Sequence, residues 1–293
     1  MDYQDALRIA AQKVLALQGH TIDVVSIKKP KEIQGAVELA KIISKLSPII
    51  GNLLEYAMVE YLNTAYEWPS NCKWVRQDPG FPDTVLQGMN DPQPGIEIKT
   101  WFPLATEITA RFRDTQMAFK SNQTKLALLC WLPEFVIAGQ PKLIDIWIGD
   151  ALEIAQTRDE HYHNPPHYVV LEPEDTRRRT KNLQQTNCNG LKFQGTPAQL
   201  VRAERFVATW GKAGKAYRTD RAYQSRLREL TGKFPYRLDT NFAKLDRIVL
   251  PSLESFKSRI LATMYAGRAI SQWIRDIESV DRQVLQTLVD RQS

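Results

Sequence analysis

Cysteine is scarce in this chain: Cys72, Cys130 and Cys188 are the three among 293 residues. Their number is odd and none shows C-x-x-C spacing, which argues against a disulfide framework and against a cysteine zinc site. A reducing, cytoplasmic compartment is the expectation. No apolar run is long enough to span a bilayer. The opening Met1-Asp2-Tyr3-Gln4-Asp5 has no basic stretch leading into an apolar one, so no secretory signal is expected. A Gly-rich phosphate loop, G-x-S-x-G and H-E-x-x-H are also missing. Their absence leaves NTPase, α/β-hydrolase and zincin chemistry without support, and no nucleotide cofactor is expected. Internal repeats and low-complexity tracts are lacking too.

What remains is a folded chain of ordinary composition, 43% hydrophobic and 25% charged, large enough for one large core or two modest ones. Its net charge of +6 hides a division. Residues 1–176 carry 16 Lys and Arg against 23 Asp and Glu, a net −7, whereas residues 177–293 carry 23 against 10, a net +13. Such segregation suggests an anionic partner for the C-terminal part, the plain alternative being a solvated basic face.

Residues 1–18 have an amphipathic helical pattern (Ala6, Ile9, Ala10, Val14, Leu15, Leu17), and a second pattern covers about 31–46. Ser47-Pro48 reads as the start of a third helix, with Ser as N-cap and Pro in the first turn. Its stripe is Ile50, Leu53, Leu54, Ala57, Met58 and Tyr61, with Glu55 at the flank. From 72 to 102, short alternating runs broken by Gly, Pro and Asn read as strands, and the turn-rich 88–95 joins two of them. Lys125–Leu132 is apolar on both sides, as a buried strand would be. Further strands are expected at 143–148 and 167–171, with a helix near 150–159. Past Pro173 the chain is basic and weakly periodic to about 247, then carries a long helical pattern through Leu253, Phe256, Ile260, Met264, Trp273, Leu285 and Leu288. The expectation is an α/β core over 1–173 with a mixed central sheet flanked by helices. A basic, mostly helical portion over 174–293 follows, able to pack as one domain with the core.

One constellation carries chemistry. Phe81-Pro82-Asp83-Thr84-Val85-Leu86-Gln87 begins a short strand with an acid, and Glu97-Ile98-Lys99 lies on the next strand. A hairpin centred near Asn90 places Asp83 almost opposite Glu97, where opposed side chains share a face about 5 Å apart. Glu97 and Lys99 share a face by the period of two, while Ile96 and Ile98 point into the core. Two carboxylates and the Ile98 carbonyl form an oxygen set that fits Mg²⁺ better than Zn²⁺, with Mn²⁺ able to substitute. Lys99 would orient a water, stabilise developing charge, or take a proton if burial depresses its pKa. These parts suffice to hydrolyse a phosphodiester. The bland alternative is an E-x-K ion pair on a strand edge and a P-D turn.

Over about 47–132 these residues resemble the PD-(D/E)xK nuclease superfamily, which includes type II restriction endonucleases and the mismatch-repair nickase MutH. The likeness rests on a helix carrying an acid (Gly51-Asn52-Leu53-Leu54-Glu55), the Pro82-Asp83 strand, Glu97-Ile98-Lys99 and a following core strand. It implies a restriction-endonuclease-like core with Glu55, Asp83, Glu97 and Lys99 as site residues. Asp91, in Asn90-Asp91-Pro92, matches the shorter MutH-type spacing and competes with Asp83, which the hairpin geometry favours.

Arg177-Arg178-Arg179-Thr180-Lys181 runs into Asn182, Gln184, Gln185, Asn187 and Asn189. These are residue types that hold phosphates and read base edges of double-stranded DNA. Lys192, Arg202, Arg205, Lys212, Lys215, Arg218 and Arg221 continue the basic stretch, with Phe193, Trp210 and Tyr217 interleaved. His161, His163 and His167 beside Pro165-Pro166 read as a surface or DNA-facing loop rather than a zinc site. The long C-terminal pattern is either core or a homodimer surface, and a dimer would cut both strands of a palindrome. Together these readings imply a Mg²⁺-dependent type II restriction endonuclease. The rivals are a MutH-like nickase or structure-specific repair nuclease, a non-catalytic DNA-binding protein, and an RNA-directed nuclease.

Overall fold

The computed structural model describes residues 1–77, 80–89, 92–105, 107–120, 122–173 and 188–290. The chain opens with three helices, α1 (Tyr3–Leu15), α2 (Ile33–Ile42) and α3 (Ser47–Thr64). Asp2 caps α1 by accepting the Asp5 N–H at 2.7 Å. The buried face of α1 is Ala6, Leu7, Ala10 and Val14. Leu7 takes the place that the sequence pattern offered to Leu15, which is exposed. A 3₁₀ turn over Ile43–Leu46 runs from α2 straight into α3, so Ser47 is the first helical residue of α3 and not its cap.

Five strands follow in chain order across one sheet: β1 (Lys73–Arg76), β2 (Thr84–Gln87), β3 (Gly95–Trp101), β4 (Thr124–Pro133) and β5 (Pro141–Asp150). Only the β3–β4 pair is parallel; the other neighbours are antiparallel. The sheet is therefore mixed, and helices flank it, as expected. Within β4 every residue from Leu126 to Leu132 is buried, which explains its unbroken apolar run. The β2–β3 pair sets Thr84 opposite Ile96 and Val85 opposite Gly95, the register of a hairpin centred at 90. Gly95 is required there: a Cβ would lie 2.2 Å from Pro82 Cγ. α4 (Ala151–Tyr162) comes next, capped by Asp150, whose side chain accepts the Leu152 and Glu153 N–H groups.

The second half departs from the mostly helical expectation. β6 (Tyr168–Leu171), β7 (Asn189–Phe193) and β8 (Tyr236–Leu238) make a separate antiparallel sheet. With α5 (Pro197–Ala208) and α6 (Arg221–Lys233) this sheet encloses a small core of Val169, Ala203, Val207, Tyr223, Leu227 and Leu230. The last segment is not one long helix. α7 (Pro251–Ala262) ends at a tight hairpin, β9 (Met264–Tyr265) and β10 (Arg268–Ala269), followed by α8 (Ile270–Glu278) and α9 (Arg282–Asp290). Both turn residues, Ala266 (φ 48°) and Gly267 (φ 80°), are left-handed, the geometry of a two-residue hairpin loop. The apolar periodicity survives this break because α7, α8 and α9 all face one core. Leu253, Phe256, Ile260, Trp273, Leu285 and Leu288 are buried with residues of α1–α3 and β3–β5. Among the described residues, packing thus joins Ala6 to Ala155 with Leu245 to Leu288 in one core and leaves 168–173 and 188–243 around smaller cores of their own. Among the described residues no helix is long and apolar enough to cross a membrane.

Candidate active site

Three of the four residues singled out from the sequence meet at one point. Asp83 stands at the start of β2 and Glu97 and Lys99 on β3. The Asp83 N–H donates to Glu97 Oε2 at 3.1 Å, and Asp83 Oδ2 accepts the Ile98 N–H at 2.7 Å. Lys99 Nζ lies 3.2 Å from Asp83 Oδ2 and in closer contact with Glu97 Oε1. Glu97 is buried at 5% exposure, which is rare for a carboxylate without a charged partner. Ile96 and Ile98 are buried in the core, as the strand period requires.

Glu55 comes from α3, and the approach of that helix to β3 depends on Gly51. A Cβ at Gly51 would meet Thr100 Oγ1 at 2.7 Å, so only glycine lets the helix lie this close. One turn later Glu55 accepts from Arg76 Nε at 2.7 Å. Glu55 is thus held by β1 and does not bond directly to Lys99, although their charges interact.

The electrostatics have one sense. Burial lowers the affinity of the Lys99 ammonium for its proton, but Glu97 and Asp83 outweigh it and hold Lys99 above the ordinary lysine range. The expectation that burial depresses Lys99 is not met in this arrangement, where both acids favour its ammonium form. Burial pushes Glu97 well above the usual carboxylate range; Lys99 opposes this, while the charges of Asp83 and Asp114 add to it. Burial raises Glu55 as well, followed by the charge of Asp83, with Arg76 pulling the other way. Burial thus dominates at the two glutamates, whereas Lys99 answers to the two acids it bonds.

Beside the cluster lies a cleft of about 650 Å³. α3 supplies one wall through Gly51, Asn52 and Glu55, and β3 supplies Ile98, Lys99 and Thr100. The lining also includes Glu107, Arg111 and Lys244. Asp83 and Glu97 do not line the cleft; Lys99 does, and its ammonium bonds both acids. Among the described residues no group of three or more His, Cys, Asp and Glu is arranged to hold a metal ion. The donor set is two carboxylates with a third nearby, all hard oxygens, which fits Mg²⁺ completed by water and phosphate oxygens and does not fit Zn²⁺.

The remaining sequence candidates fall elsewhere. Arg177, Arg178, Arg179, Lys181, Asn182, Gln184, Gln185 and Asn187 lie outside the described residues, as does Asp91. Asn189 opens β7 and is exposed, paired with Leu171. Lys192, Arg202, Arg205, Lys212, Lys215, Arg218 and Arg221 are all exposed. Phe193, Trp210 and Tyr217, however, are half-buried and pack against the small core. The three histidines do not converge: His161 packs on Tyr162, His163 bonds Tyr223 Oη at 2.6 Å, and His167 sits 3.8 Å from Glu204. Sequence reasoning missed Arg76, Glu107, Arg111 and Lys244. No local signal marks them, since Arg111 meets Lys244 only through a backbone bridge across 133 residues.

Comparison with protein-family models, with curated proteins and with solved structures returned no match.

Proposed function

We propose that this chain is a Mg²⁺-dependent endonuclease that hydrolyses phosphodiester bonds at a short, specific sequence of double-stranded DNA. The observation that carries the proposal is the Asp83–Lys99–Glu97 cluster, set behind a polar cleft. In this reading Asp83 and Glu97, with the Ile98 carbonyl, hold the ion once Lys99 turns toward the cleft. When bound, Mg²⁺ would polarise the scissile phosphate and acidify a water. Lys99 orients the attacking water and offsets charge that develops on the phosphate. Glu55, fixed by Arg76, accepts a hydrogen bond from that water or from Lys99. The exposed cations of 192–221 supply phosphate contacts along the duplex. Two copies about a two-fold axis would cut both strands of a palindrome.

One observation favours a second reading, a DNA-binding protein without catalysis. Lys99 bonds both acids in the structure, as a purely structural ion-pair cluster would. Digestion of a large unmethylated DNA of known sequence, with Mg²⁺ and with chelator, separates the two. Discrete fragments that vanish with chelator support the nuclease; nicked plasmid in place of linear product points to a nickase. Duplex binding without any cutting rejects the catalytic reading.

A further inference from the structure

The cleft that Lys99 and Glu55 line also has a cationic stretch of wall. Residues 110–112 and 243–245 cross as a short antiparallel pair. The Phe112 N–H donates to the Ala243 carbonyl at 2.7 Å and the Leu245 N–H to the Ala110 carbonyl at 2.9 Å. This sets Arg111 opposite Lys244, and both line the cleft. Glu107 accepts from Lys244 Nζ at 2.8 Å and from Arg247 at 3.0 Å, so one carboxylate serves two cations. Arg111 is exposed and makes no ion pair or side-chain hydrogen bond among the described residues. This stretch of the lining thus has two cations, Arg111 and Lys244, against one anion that Lys244 shares with Arg247 outside the cleft, and the guanidinium of Arg111 is unused.

We propose that Arg111 is a phosphate-positioning residue whose guanidinium seats a phosphodiester of the nucleic-acid backbone in the cleft shared with Lys99 and Glu55. A guanidinium presents five donors in a planar fork that matches phosphate oxygens. Lys244 adds a second positive charge beside it, held in place by Glu107. The neighbouring floor of the cleft is acidic behind Lys99, so the backbone phosphate lies between a cationic wall and the cluster assigned to the metal. The choice of a nucleic-acid phosphodiester as the anion rests on the nuclease reading; the seat itself rests on the wall.

The test is binding of a fluorescent 20–30 base-pair DNA duplex by fluorescence anisotropy, with chelator present so that nothing is cut. Arg111→Ala should weaken binding about tenfold, the scale of one charge-assisted contact. It should also lower the slope of log affinity against log salt by about one. Glu107→Gln removes the only anion of the wall and should tighten binding, a gain that misfolding does not produce. Unchanged affinity and salt slope in Arg111→Ala, no gain in Glu107→Gln, or a wild-type chain that binds no duplex would each overturn the proposal. Wild-type digestion assays separate the two claims. Weakened binding by Arg111→Ala in a chain that never cuts sinks the nuclease reading and keeps the seat. Unaltered binding by Arg111→Ala in a chain that cuts does the reverse.

Discussion

The Asp83 carboxylate reaches across the β2–β3 pair to accept the Ile98 N–H at 2.7 Å, while its other neighbour is the Lys99 ammonium at 3.2 Å. Asp83 therefore ties the register of the sheet to the charge cluster. Any change at this position alters both.

Lys99 pairs with Asp83 and with Glu97, whose charged form burial penalises. Lys99→Ala is expected to abolish cutting, by at least about 10²-fold, while duplex binding persists. It should also destabilise the fold by about 3–5 kcal/mol, because Glu97 is left buried without its partner. Added Mg²⁺ should recover part of that loss, up to about 2.7 kcal/mol at a hundredfold excess over the dissociation constant. Urea denaturation of the variant with and without Mg²⁺ measures this. No recovery, together with undiminished cutting, would remove Lys99, Asp83 and Glu97 from the site.

Gly51 sets how close α3 lies to β3. Gly51→Val should force the helix away from Thr100 and cost about 1–3 kcal/mol through overpacking. Since Glu55 sits one turn further on, cutting should fall more than duplex binding. Thermal melting and single-turnover rates on the same preparation check both parts; a variant as stable and active as wild type would show that the close approach is dispensable.

Arg158 is fully buried and spans three segments. Its Nε bonds Asp159 at 2.7 Å, and its terminal nitrogens donate to the carbonyls of Phe112 at 2.7 Å and Asp114 at 3.1 Å. Arg158→Met leaves the buried Asp159 carboxylate uncompensated and should cost about 3–5 kcal/mol. Adding Asp159→Leu should restore part of the loss, because the unpaired charge is then gone. A double variant less stable than the single one would refute this account.

His163 supplies a pH dependence. Its burial lowers its pKa to about 4, with Tyr223 bonded to Nε2 and Nδ1 buried without a partner. The folded value lies below the unfolded one, so the stability from neutral His163 is present above about pH 6.5 and is lost as pH falls toward 4. Between pH 7 and 4.5 the wild-type chain should lose about 2 kcal/mol more than His163→Gln. Urea midpoints across that range decide it; parallel curves for the two proteins would show that His163 is not the group that titrates.

Much of the site was legible locally. Strand periodicity and the turn residues of 88–95 sufficed to place Asp83 opposite Glu97 and Lys99 on the same face, and β2–β3 has that register. The approach of Glu55 was visible as a helix flank, but its partner Arg76 was not, since nothing in the sequence says which strand a helix will meet. The long apolar pattern past Leu253 misled in one respect. It recorded burial, and three helices broken at Ala266-Gly267 and near Val280 bury as regularly as one.

The sequence alone determined the β2–β3 hairpin, its register and the residue types suited to a cation and a phosphate, because those follow from period, turn chemistry and donor sets within some twenty residues. Only the tertiary structure decided that Lys99 pairs with two acids, that Arg111 and Lys244 share a cleft wall, and that the C-terminal helices complete the first core. These depend on burial and on contacts between distant segments, and neither desolvation nor long-range pairing leaves a mark in local sequence.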